Sequence, residues 1–187
     1  MRSTLPLFTA ALLISMPAFA DEVIPVGAFQ SAELRGGGNV TVVPGPAQRV
    51  TIVEGSSRFT RITVDRDRQL RIDTCNEACP QQYRLRIVIQ SPQVPALAVR
   101  GGGQITTAAG FGPQQHLAVA VNGGGKIDAR TIDVGSVSAA VNGGGDLFVR
   151  PRASLAAAVN GGGHVRYWGS PALTTAVHGG GSVSAGY

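Results

Sequence analysis

The chain has 187 residues, a formal net charge of +5, 26 glycines and two cysteines. This length suits one domain with its own core and excludes a mini-protein held together by many disulfides. The arginines alternate with acids, as in Asp65-Arg66-Asp67-Arg68, which reads as a solvated surface; the glycines fall into a repeat, which excludes a flexible linker.

The first twenty residues have the make-up of a signal peptide. Arg2 supplies a positive start, Leu5 to Met16 are mostly apolar, and Ala18-Phe19-Ala20 forms a small-x-small cleavage site. The apolar run is shorter than the roughly 20 residues a membrane helix needs. A mature chain from Asp21 is therefore expected in the periplasm, at the cell surface or secreted, with no stable membrane insertion. A basic exported protein can meet lipopolysaccharide or anionic glycans, whereas nucleic acid is not expected as a partner there.

From Asp21 to about Pro95 the chain reads as short, irregularly spaced strands. Val40-Thr41-Val42-Val43 runs into Pro44-Gly45-Pro46, and Val50-Thr51-Ile52-Val53 runs into Glu54-Gly55. Ile62-Thr63-Val64 and Leu70-Arg71-Ile72 flank the charged turn at Asp65 to Arg68. Tyr83 to Ile89 alternates, with Leu85, Ile87 and Ile89 on one face. Period-two alternation bounded by Gly, Pro and Asp predicts strands. Cys75 and Cys79, in an exported chain, predict a disulfide that pins a turn between two strands.

From residue 96 a regular repeat takes over. Gly-Gly-Gly starts at Gly101, Gly123, Gly143, Gly161 and Gly179, and an isolated earlier copy starts at Gly36. Aligned on the triad, Leu117, Val119 and Val121 become equivalent to Val137, Ala139 and Val141, to Leu155, Ala157 and Val159, and to Leu173, Thr175 and Val177. Two residues beyond the triad stand Ile105, Ile127, Leu147, Val165 and Val183. Each copy is thus a strand, a Gly-rich corner and a second strand with one inward face. A period near 20 residues predicts an all-β, right-handed β-solenoid or β-helix-like fold with an irregular β N-terminal portion. Residues 21–187 are expected to form one domain, irregular over 21–95 and regular over 96–187. The distance from Gly36 to Gly101 is close to three turn-lengths.

Stacked turns would align equivalent residues into columns about 4.8 Å apart. Asn122, Asn142 and Asn160 precede the triads and could form a hydrogen-bonded amide ladder. Lys126, Asp146 and His164 follow the triads and would be surface neighbours, either as a polar binding site or as a charge-balanced ladder. Trp168, beside Tyr167, offers a sugar-stacking platform or a packing residue. Carboxylates clustered for glycoside chemistry are not apparent, nor is a Ser–His–Asp set, and no helix follows a triad to cradle phosphate. Neither metal nor cofactor is expected.

Phe29, Leu34 with Gly36, Gly38 and Val40, then Val42 and Pro44-Gly45, form one set of landmarks. Leu70-Arg71-Ile72, Ile87-Val88-Ile89, Pro92, and Leu97 with Val99 before Gly101 form another, followed by the recurrent Gly-x-Gly-x-[Ile/Leu/Val] corners. In these the chain resembles the GIN domain family, described as a "putative auto-transporter adhesin" head domain. The family's corner is often Gly-Ser-Gly-Asp; here Gly fills the Ser place, and Asp146 alone fills the Asp place. The resemblance implies an exported solenoid-like domain, and adhesion as its role. The expectation is a non-enzymatic, adhesin-like binding module that contacts glycan or envelope polymer. The alternatives are a structural or self-assembling envelope protein, open to homo-oligomer formation through its solenoid ends, and, more remotely, a degenerate polysaccharide-active enzyme.

Overall fold

The computed structural model describes residues 21–76 and 78–186, so the expected signal peptide lies outside the described residues. The described residues are all-β, without a helix. One 15-stranded sheet wraps around a continuous apolar core.

The regular part consists of β8 (Ala96–Gly101), β9 (Gln104–Thr107), β10 (Gln114–Gly123), β11 (Lys126–Gly143), β12 (Asp146–Asn160), β13 (His164–Tyr167), β14 (Ala172–His178) and β15 (Ser182–Ala185). These strands pair in parallel, and the register places Val99, Val121, Val141, Val159 and Val177 in one column. Ile105, Ile127, Leu147, Val165 and Val183 form the column on the next wall. Most of these side chains are fully buried. Each contributes roughly 1.5–3 kcal/mol on burial, so a coil gains its stability from its neighbours. Alternation breaks at Arg130 and Thr131, two successive outward residues that mark a corner without glycine. The coil from Gly123 to Gly143 is longer than the one that follows it, and the register breaks between Ala129 and Val134 and between Val134 and Ser136 absorb the difference.

The N-terminal portion differs from the irregular arrangement expected. β2 (Ser31–Gly36) and β3 (Asn39–Pro44) form a coil of the same kind, with Gly36-Gly37-Gly38 at its corner. Gly36 pairs directly with Gly101, so no turns intervene between them, against the three that their separation suggested. The missing residues lie elsewhere. β6 (Gln69–Asp73) pairs in parallel with the far edge of β2, and β7 (Arg86–Ser91) with the far edge of β3. The coil of β2 and β3 is therefore held between a coil later in sequence and the regular stack. Tyr83 to Leu85 precede β7 instead of belonging to it.

Antiparallel strands close this end. β4 (Arg49–Glu54) covers β7, β1 (Glu22–Ile24) covers β4, and β5 (Arg61–Val64) covers β6. Cys75 and Cys79 form a disulfide just beyond β6. Tyr83 Oη lies 2.7 Å from Thr60 Oγ1 and accepts from Ser56 N at 2.9 Å, tying the loops of the cap together.

Candidate functional site

The triad corner sets the geometry of the surface beside it. The first glycine has φ near +120° in the regular coils, and its α-carbon lies against the glycine one coil below. A Cβ at Gly143 would sit 2.6 Å from the carbonyl oxygen of Gly123. A Cβ on the third glycine, Gly145, would meet Gly125 O at 2.5 Å and the Val121 side chain. The middle glycine, Gly144, has nothing within 4 Å. The corner is therefore architectural at its first and third positions and open at its second.

Before the triads, Asn142 Nδ2 donates to Asn122 Oδ1 and Asn160 Nδ2 to Asn142 Oδ1, each at 3.0 Å. The same column continues to His178 at one end and to Arg100 and Arg35 at the other. There, Glu33, whose side chain is 3% exposed, lies between the two like charges and pairs with both Arg35 and Arg100.

After the triads the register sets Lys126, Asp146 and His164 side by side, between Gln104 and Ser182. Their partners are not one another. The Lys126 ammonium lies 4.7 Å from the centre of the Phe148 ring, and His164 Nδ1 is 3.0 Å from Ser182 Oγ. Trp168 belongs to the same wall, two outward positions along from His164 on its own coil.

Outward residues on this wall recur every second position, so three coils present a grid. The rows read Lys126, Asp128, Arg130; then Asp146, Phe148, Arg150; then His164, Arg166, Trp168. Asp128 holds the Arg130 guanidinium by two bonds, Nε to Oδ1 at 2.9 Å and Nη2 to Oδ2 at 2.6 Å. Burial pushes the Asp128 carboxyl up, but the hydrogen bonds and charge of Arg130, aided by Lys126, outweigh it and hold it below its ordinary value. Thus fixed, Arg130 lies 5.2 Å from the Phe148 ring centre and 4.8 Å from that of Trp168. The two rings are 6.2 Å apart and inclined by 32°. Thr106, Thr131 and Arg150 line a shallow depression beside Arg130 and Trp168, and Asp133, Arg152 and Ser170 line a second that shares Arg150 and Trp168 with it.

Phe148, Arg130, Asp128 and Arg150 were missed by sequence reading, which stopped at the first outward column. Stepping on two residues, by the period that had already set the inward face, would have found them. The grid offers cations fixed over rings, a chemistry suited to anionic groups on a sugar or similar scaffold. The wall carrying β8, β10 and β14 is different. Its outward positions include Ala98, Ala118, Ala120, Ala140, Ala156 and Ala158, which form a shallow apolar trough without a charge.

Residues 107–171, which contain the whole grid, match the family described as "Putative auto-transporter adhesin, head GIN domain". The chain matches none of the curated proteins with which it was compared. Among solved structures it is similar to a "putative adhesin" of Bacteroides fragilis, at 18% identity and a TM-score of 0.54, over 88% of this chain and 95% of the other. A "putative adhesin" of Parabacteroides distasonis aligns at 17% identity and a TM-score of 0.44, over 89% of this chain and 96% of that one. The first of these likenesses is one of fold.

Proposed function

Residues 107–171 carry the signature of the GIN head-domain family, and from that premise we propose that the protein is an exported, adhesin-like binding module whose ligand is an acidic glycan or envelope polymer. The observation that carries this reading is the Arg130 guanidinium, held by Asp128 over Phe148 and Trp168. A guanidinium fixed in this way loses less freedom on meeting a carboxylate or phosphate. Arg150 lines the depression beside it, Arg166 stands next to Phe148 on the following coil, and Lys126, Asp146 and His164 form the grid's outer column. The Cys75–Cys79 disulfide suits an oxidising compartment, and residues 21–187 act as a single domain. We take the coils to wind right-handed, as parallel β connections nearly always do. The role is binding, without catalysis.

The test is binding of the exported protein to an acidic polysaccharide such as polygalacturonate, with a neutral glucan as control. Arg130→Ala is expected to weaken binding to the acidic polymer at least tenfold, and Trp168→Ala to do the same. Added salt should weaken it further, because the cations are solvent-exposed. Equal binding to the neutral glucan, or binding unchanged by Arg130→Ala, would remove the grid from the account.

A further inference from the structure

We propose that the β14 edge of the outermost coil is an interface at which two copies of this chain pair about a two-fold axis, forming a closed dimer and not a fibre. This inference is independent of the ligand reading above.

The two ends of the stack are built differently. At the N-terminal end, the outer edges of β6 and β7 are covered by antiparallel strands, which leaves only β5 and β1 as edges among the described residues. Those edges have four and three residues, and Arg61, Glu22 and the charged run Asp65 to Arg68 lie on or beside them. Short, charged edges are how proteins discourage strand addition.

At the other end, among the described residues, β14 pairs only with β12 and β15 only with β13, so both strands present an open edge. Residues 169–187 contain no Asp, Glu, Lys or Arg. Leu173 and Val177 are 47% and 42% exposed, although their column mates Leu155 and Val159 are 1% and 0% exposed. Among the described residues only one other large apolar side chain, Val23, is similarly bare. Leu173 and Val177 continue the apolar columns of the interior coils, and no described strand covers them.

Symmetry selects the occupant. A head-to-tail copy would have to add its N-terminal end to β14, and that end is blocked. A two-fold axis perpendicular to the β14 wall instead reverses strand direction while keeping each face of that wall on its own side. It sets β14 against β14, antiparallel. Full overlap of the seven-residue β14 then places Thr175 on the axis, with Leu173 opposite Val177 and both facing inward. Apolar meets apolar, and no like charges are brought together. Such an isologous contact uses up the open β14 edge and stops growth at two copies.

The test uses the full chain, expressed with its own N-terminal segment and purified after export. Sedimentation over a wide concentration range is expected to show monomer and dimer and nothing larger. Thr175→Cys, which sits on the axis, should cross-link covalently to its mate under mild oxidation. Thr63→Cys, on the exposed β5 edge at the other end, should remain a monomer on denaturing gels. Val177→Lys should raise the dimer dissociation constant at least tenfold without changing the far-ultraviolet circular dichroism. Should Val177→Lys fail to fold, cross-linking of Thr175→Cys still decides the case. A protein that stays monomeric at every concentration, that forms long oligomers, or whose Thr63→Cys variant cross-links as readily as Thr175→Cys overturns the proposal. So does a dimer that a folded Val177→Lys variant leaves intact.

Discussion

At the scale of single residues, the three glycines of a triad are not equivalent. Gly143 has φ of 121° and no room for a Cβ above Gly123, so Gly143→Ala adds backbone strain to a clash with main-chain atoms. A loss of about 3 kcal/mol or more is expected in urea unfolding, from strain and overpacking of about 1–3 kcal/mol each. Gly144→Ser meets open space and should stay within about 0.5 kcal/mol of the parent. Equal losses for the two would refute the division of labour. The need for glycine was legible in the recurrence of the triad. Which glycines were needed was not, because the clash is with a neighbouring coil about 20 residues away in sequence.

At the scale of the element, each wall is a set of columns, and a column's energetics depend on position within it. Asn142 both donates to Asn122 and accepts from Asn160, whereas Asn122 takes part in one bond of the ladder. Asn142→Ala is expected to lower stability by about 1–2 kcal/mol and Asn122→Ala by about half as much, since an exposed amide bond contributes roughly 0.5–1 kcal/mol. Thermal unfolding of the two variants checks the ratio; a larger loss for Asn122→Ala would mean that the ladder is not what stabilises this edge. The ladder and the Lys126–Asp146–His164 column could both be read by aligning triads, because parallel stacking turns sequence equivalence into adjacency. The partners could not. Lys126 reaches sideways to Phe148 and not along the column to Asp146, since side chains on a pleated wall meet diagonal neighbours as readily as direct ones.

At the scale of the whole molecule, the regular coils were legible and the cap was not. Sequence periodicity reports only neighbours that are also successive, and the coil of β2 and β3 has its neighbours at residues 69–91 and 96–107. The Cys75–Cys79 disulfide belongs to this cap and closes a short loop. Its reduction is expected to cost about 2 kcal/mol in the chain-entropy model, and hydrogen exchange should show the loss in β5 and β6 before β10 to β12. Uniform loosening of the stack on reduction would place the disulfide's role elsewhere. The seating of β2 and β3 between later segments also governs the order of events at birth. Synthesis proceeds from the N-terminus at about 5–20 residues per second, so β2 waits several seconds for β8 and β3 for β9, the partners that close their second edges. During that interval the earliest-made part of the protein is the least finished. A chaperone that shields unpaired strands would be needed most while the middle of the chain is still emerging.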